Sequence, residues 1–96
     1  MSAASRQSTA LDLVLFIGGP SAASARAEAN LRAALEALDQ PSQLRIVDVL
    51  DDPGPAMDAG VLLTPTLVIS APGPVRMLVG DLSRRELLDG YLKSGL

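Results

Sequence analysis

The sequence has 96 residues and a formal net charge of −3, with eight Lys and Arg side chains against eleven Asp and Glu. A chain of this length forms one small domain, and its acidic balance argues against nucleic-acid binding, which requires a clustered basic surface. It contains no Cys, His or Trp, so thiol chemistry, disulfides and the commonest general base and metal ligand are excluded. We therefore expect no catalytic residues, no metal and no cofactor.

The first elements along the chain are a tail, a strand and a helix. Residues 1–10 are small and polar, which predicts a flexible N-terminal tail ahead of a single domain over residues 11–96. Leu11–Ile17 is almost entirely apolar and predicts a strand in the middle of a sheet. Ser21 is the predicted N-cap of a helix over Ala22–Leu38, whose apolar side chains recur at helical spacing.

The apolar segment near the N-terminus is too short for a secretory signal. Asp12 interrupts it, and the uninterrupted run that follows is shorter than the roughly 7–15 residues a signal needs. No stretch approaches the roughly 18 apolar residues of a membrane span. We expect a cytoplasmic protein that does not bind membranes.

The middle of the chain predicts a second strand and a short helix. Leu44–Leu50 is rich in apolar and β-branched residues, which favour a strand. Asp52 and Pro53 are typical of an N-cap followed by proline at the first helical position. The flanking glycines and prolines leave room only for a short helix around Ala56–Ala59.

The last part of the chain predicts a hairpin and a final helix. Leu63–Ile69 and Val75–Val79 flank a Pro/Gly turn, which favours an antiparallel pair. Ser83 and Glu86 have the spacing of a capping box, in which each side chain accepts the backbone N–H of the other residue. The helix that follows is predicted to end at Gly95. Its apolar face is formed by Leu87, Leu88, Tyr91 and Leu92.

The order β-α-β-α-β-β-α predicts a thioredoxin-like α/β fold with a mixed four-stranded sheet. A strand–helix–strand unit pairs parallel through a right-handed crossover, whereas the later hairpin pairs antiparallel. In this fold the chemistry lies where the first strand ends, opposite a cis-proline that opens the third strand. Those places are Gly18–Ser21, which has no sulfur, and Pro65, a candidate for a cis bond.

Other site chemistries have weak support. Gly18–Ser21 could cradle an anion at a helix N-terminus, but it lacks the Lys of a phosphate-binding loop. A serine nucleophile would need a basic partner, and the single lysine is Lys93. The spacing of four carboxylates does not match a calcium loop, so capping and solvation explain them better. These are Asp48, Asp51, Asp52 and Asp58.

Two short motifs carry a resemblance to a known family. They are Thr64-Pro65-Thr66-Leu67 and Gly80-Asp81-Leu82-Ser83. Further matching positions are Val47-Asp48-Val49-Leu50, Pro53, Ala56, Pro72, Pro74-Val75-Arg76, Arg85 and Glu86. From Leu13 onward the chain thereby resembles the KaiB family, small fold-switching proteins of the bacterial circadian clock.

The resemblance implies a non-enzymatic regulator that binds a KaiC-type hexameric ATPase and modulates its phosphorylation or output. An alternative is a stand-alone interaction module for a clock histidine kinase or a stress-response partner. The family has a monomeric thioredoxin-like state that binds KaiC and a tetramer-forming ground state of order β-α-β-β-α-α-β. The candidates for the contact surface are Arg26, Arg45, Arg76 and Asp81.

The residues of the final helix favour the thioredoxin-like state. Where family members tend to have glycine and an acidic residue, this chain has Tyr91 and Lys93. Tyr costs a few tenths of a kcal/mol less than Gly in a helix, and Lys near a helix C-terminus contributes about 0.3–1 kcal/mol. Gly90 opposes them by about as much as one of them contributes. The positions expected to determine the fold are Pro65, Gly80, Ser83, Glu86, Tyr91 and Lys93.

Overall fold

A computed structural model describes residues 10–93 of the chain. The predicted order of elements is confirmed, and the fold is thioredoxin-like. The predicted tail before Ala10 and the predicted helix end at Gly95 lie outside the described residues. The elements are β1 (Leu11–Ile17), α1 (Ala22–Leu38), β2 (Ser42–Asp48), α2 (Gly54–Ala59), β3 (Thr66–Ala71), β4 (Arg76–Val79) and α3 (Arg85–Lys93).

The strands form one mixed sheet in the order β2-β1-β3-β4. β1 pairs in parallel with β2, with Leu11 opposite Ser42 and Ile17 opposite Asp48. It pairs antiparallel with β3, and β3 pairs antiparallel with β4. Because β1 has a neighbour on each side, it lies inside the sheet, as its largely apolar sequence predicts.

The larger core lies between one face of the sheet and the helices α1 and α3. Alternate residues of β1 point to this face, because side chains of a strand alternate between its two sides. They pack against α1 and α3, which supply aliphatic side chains at helical spacing. The fully buried members include Leu11, Leu15, Leu31, Leu67, Ile69, Leu88 and Leu92.

The smaller core lies on the opposite face of the sheet, beneath α2. Phe16, Val47 and Val68 come from three neighbouring strands and pack with Ala56 of α2. Because α2 has only six residues, it covers one end of this face. The rest of the face carries exposed side chains, among them Asp12, Gln43, Arg45, Ser70, Met77 and Val79.

The strand boundaries differ from the predicted ones from β2 onward. β2 spans Ser42–Asp48 and not Leu44–Leu50. It ends at Asp48 because the Asp48 carboxylate turns the chain there (Oδ1 accepts the N–H of Leu50 at 2.9 Å). β3 begins at Thr66 and not at Leu63. The reason is that Pro65 has no N–H to donate to the ladder. The Thr64–Pro65 peptide bond is cis, the isomer expected from the sequence.

The capping predictions had mixed outcomes. The Ser21 cap is confirmed, since its Oγ accepts the N–H of Ser24 at 3.1 Å. The Asp52 cap is wrong, because Pro53 occupies the N-cap position of α2 and no side chain caps that helix.

The Ser83/Glu86 capping box is also wrong. α3 begins at Arg85, two residues after Ser83, so Ser83 does not stand at the N-cap position. Its N–H donates to Asp81 Oδ1 at 3.1 Å and is not available to Glu86. The cause is the turn before α3, in which Leu82 has a positive φ of 61°. This turn uses the polar groups that would otherwise form the box.

Candidate functional site

The segment that follows β1 lies directly against the segment that precedes β3. A Cβ added at Gly18 would lie 2.5 Å from Thr64 Oγ1, so a larger residue here would require the Thr64 side chain to shift. In a thioredoxin-like fold a reactive thiol would stand just after β1, and in this chain the backbone of Gly18 occupies that place. The Ser21 hydroxyl is occupied as the cap of α1. The site therefore has no nucleophile paired with a base.

Asp48 fixes the loop between β2 and α2. Its Oδ1 accepts the N–H of Gly19 at 3.0 Å as well as that of Leu50, and the N–H of Val49 donates to Ile17 O at 2.9 Å. These bonds join the ends of β1 and β2. The Asp48 carboxylate thus has a structural role, and within the described residues no group of acidic side chains could hold a metal ion.

Large apolar side chains are exposed in two parts of the described chain. Val75, Met77, Val79 and Leu87 lie in or beside β4 and α3, and four others lie in the connections from β2 to β3. Leu62 is 93% exposed, Met57 75%, Leu50 72% and Leu63 64%. All four belong to the connections from β2 through α2 to β3, and we call them the apolar end. Single exposed leucines are ordinary, but a group of this kind is typical of a protein–protein contact surface.

The apolar end is not evident from the sequence, because the apolar run predicts Leu63 inside a strand. Leu50 also fell within the predicted second strand, where a large apolar side chain needs no special explanation. The available signal was the Leu62-Leu63 pair standing before a proline that cannot continue the ladder. In the structure, Leu50 lies over the chain after β1, since a Cβ at Gly19 would be 2.8 Å from Leu50 Cδ1.

Two of the predicted contact residues, Arg26 and Asp81, form an ion pair with each other. Arg26 Nε lies 3.0 Å from Asp81 Oδ2, and the side-chain amide of Asn30 donates to Asp81 O at 2.9 Å. Hydrogen bonds from Ser83, and then the Arg26 guanidinium, hold the pKa of Asp81 below its usual value of 3.8. The cluster ties α1 to the turn before α3, and Asn30 is a member that the sequence analysis missed.

The other two predicted contact residues lie on opposite faces of the sheet. Arg76 is on the α3 side, where its Nη1 donates to Pro72 O at 3.0 Å and Pro74 O at 2.6 Å and so holds the β3–β4 turn. It lines a shallow depression with Glu86, Leu87, Gly90 and Tyr91. Arg45 is exposed on β2, opposite Val14 and on the face that α2 only partly covers. The four predicted contact residues therefore do not form one surface.

The remaining predicted positions lie in and around α3. Tyr91 is half-buried against the larger core, and Lys93 is exposed in the last turn of the helix. Gly80 has a φ of 118° and donates its N–H to Pro65 O at 2.9 Å. This bond joins the turn before α3 to the start of β3.

Residues 14–93 match the family model described as the KaiB domain. The chain is 37% identical over 75 residues to the circadian clock protein KaiB3 of Synechocystis, covering 77% of this chain and 74% of that protein. It is 41% identical over 75 residues to the circadian clock oscillator protein KaiB of Gloeothece citriformis, covering 77% of this chain and 71% of that protein.

Solved structures agree on the fold. The N-terminal domain of Synechococcus elongatus SasA superposes with a TM-score of 0.72 at 25% identity, covering 90% of this chain and 86% of that one. Mitochondrial thioredoxin 3 of Saccharomyces cerevisiae gives a TM-score of 0.73 at 18% identity, covering 93% and 81%. Within residues 10–93, no helix is long and apolar enough to cross a membrane.

Proposed function

The chain belongs to the KaiB family, and we propose that it is a non-enzymatic clock-type regulator that binds a KaiC-type hexameric ATPase. Binding modulates the phosphorylation or output of the ATPase. The observation that carries this proposal is the apolar end, formed by Leu50, Met57, Leu62 and Leu63. It lies where a thioredoxin-like domain places its chemistry, and here the reactive group is replaced by an apolar contact surface.

The exposed side chains of the apolar end can supply the central contacts of an interface. Fully burying one leucine side chain contributes about 1.5–3 kcal/mol. Part of that gain offsets the entropy lost on association. A few such side chains nevertheless suffice as the central contacts of an interface, because a small number of residues usually carries most of the binding energy.

The thioredoxin-like state is the binding-competent state in this proposal. Leu88 and Leu92 of α3 are fully buried against the sheet, so α3 contributes packing energy that a state with a refolded second half would have to replace. We propose that the protein is a cytoplasmic monomer in this state. A tetramer of the other fold belongs to the same proposal as the alternative state.

The test is size-exclusion chromatography with light scattering, on the protein alone and with a purified KaiC-type hexamer plus ATP or ADP. We expect a monomer near 9.9 kDa that co-elutes with the hexamer in at least one nucleotide state. A tetramer that binds slowly would contradict the proposed dominance of the thioredoxin-like state. Absence of a complex with either nucleotide would refute the proposed function.

A second candidate function is an interaction module for a clock histidine kinase. The similarity to the SasA N-terminal domain, at 25% identity over 90% of this chain, favours it. The discriminating assay measures autophosphorylation of a purified clock histidine kinase with and without this protein. A change in the rate, together with no binding to the hexamer, would favour the kinase. An unchanged rate would exclude it.

A further inference from the structure

The charged residues of the chain segment that carries the apolar end are all acidic. From Ile46 to Val75 the chain contains no Lys or Arg, whereas it contains four Asp residues. Asp48 is engaged by backbone N–H groups, and the other three, Asp51, Asp52 and Asp58, are exposed. The segment after β1 that lies beside Leu50, residues 18–25, carries no charge.

The ion pairs of the described residues lie elsewhere. They join Arg26 to Asp81, Arg32 to Glu28 and Arg85 to Asp89, and each involves α1 or α3. Within residues 10–93, none of them involves Asp51, Asp52 or Asp58. Three exposed carboxylates therefore adjoin Leu50 and Met57 in the chain, and none of them forms an ion pair within residues 10–93.

We propose that the apolar end docks a protein surface that has an apolar centre and a rim of Lys and Arg. This inference rests on the proposed function and adds the chemistry of the partner surface. The leucines supply the contact area, and the carboxylates of Asp51, Asp52 and Asp58 meet the basic rim. Complementary rim charges speed association and select among partners, because like charges across an interface are unfavourable.

The same arrangement disfavours two other occupants of the apolar end. A second copy of this chain would bring the three carboxylates of each protomer together, and like-charge repulsion would oppose that contact. An anionic membrane surface would be repelled for the same reason. A protein surface with an apolar centre and a basic rim complements both the leucines and the carboxylates of the apolar end.

The test uses two model peptides, so that it does not depend on the identity of the natural partner. Both are amphipathic helices with the same leucine face, and one has Lys and the other Glu on its polar face. The ¹⁵N amide shifts of the full chain are followed at low salt. We expect the Lys peptide to change the amide shifts of residues 49–65 and to bind about tenfold more tightly than the Glu peptide. Each exposed ion pair changes the affinity only modestly, and several pairs together give this difference.

Added salt and two charge variants complete the test. Salt should weaken binding of the Lys peptide, since screening shortens the range of exposed charges. Asp58→Lys should weaken it about fivefold, and this change is compatible with folding because a cation suits the last turn of α2. The matched control is Glu36→Lys, which makes the same charge change at an exposed position of α1 and should leave the affinity within about twofold.

Three results would overturn the inference. They are equal affinity for the two peptides, shifts centred on α1 in place of residues 49–65, and equal weakening by Asp58→Lys and Glu36→Lys. Failure of a KaiC-type hexamer to bind would refute the proposed function while leaving the peptide result unchanged. The two failures are thus distinguishable.

Discussion

Replacing Gly18 by alanine should destabilise the protein through one identifiable contact. The new Cβ would lie 2.5 Å from Thr64 Oγ1 and 3.5 Å from Thr64 Cβ. The first distance requires a shift of Thr64, whereas the second is ordinary van der Waals contact. Overpacking of this kind costs about 1–3 kcal/mol. Because the Thr64 side chain is exposed and can rotate, we expect the lower half of that range.

A second substitution separates this contact from a general effect of alanine at the strand end. Thr64→Ala removes Oγ1 and should restore most of the stability lost in Gly18→Ala, with a coupling energy of about 1 kcal/mol in the double-mutant cycle. The matched control is Gly90→Ala, since a Cβ there meets nothing within 4 Å. In the middle of α3 that change should stabilise the protein by about 0.5–1 kcal/mol.

Urea denaturation followed by far-ultraviolet circular dichroism measures the free energies of unfolding of the parent, the two single variants, the double variant and the Gly90→Ala control. Circular dichroism is used because the chain has no Trp to report by fluorescence. A Gly18→Ala variant as stable as the parent would refute the close approach of the two segments. A loss of stability in Gly18→Ala that Thr64→Ala does not reduce would refute it as well. Either result would contradict the described geometry of the site.

Leu62→Ala should change the free energy of unfolding by less than about 0.5 kcal/mol, because the side chain is 93% exposed. It should nevertheless weaken binding to a KaiC-type hexamer by about 10- to 100-fold. An unchanged affinity would exclude Leu62 from the interface. Leu88→Ala should lower the free energy of unfolding measured in urea by about 2–5 kcal/mol, since the side chain is fully buried. A loss below about 1 kcal/mol would show that α3 is not packed as described. Asp81→Asn should lower the urea midpoint near neutral pH, where the ionised carboxylate stabilises the fold because its pKa is depressed. That difference should shrink as the pH falls through the folded pKa, and a difference that persists in acid would contradict an origin in ionisation.

β1 and α1 could be predicted to the residue because their local signals agree with their tertiary environment. β1 ends where Gly18 and the residues after it break the strand, and α1 begins where Ser21 caps it. From β2 onward, local signals compete with one another. Asp48 ends β2 because its carboxylate accepts the N–H groups of Gly19, after β1, and Leu50, after β2. The apolar pattern through Leu50 does not reveal these bonds.

The candidate site was predicted less well, because its parts meet only through the fold. The sequence gives no sign that Arg26 and Asp81 form an ion pair, because they lie 55 residues apart in the chain. The spacing of Ser83 and Glu86 satisfies a capping box, but the Asp81 carboxylate takes the N–H of Ser83 first. Exposure of Leu62 and Leu63 depends on where β3 starts, which the alternation of apolar residues does not fix.

The most direct test of the account is site-specific photo-crosslinking to a purified KaiC-type hexamer with nucleotide. A photoreactive side chain is placed at Leu62, in the apolar end, and separately at Glu36, on the exposed surface of α1. The account predicts a crosslink to the ATPase from position 62 and none from position 36. A crosslink from position 36 alone, or equal crosslinking from both positions, would contradict docking through the apolar end.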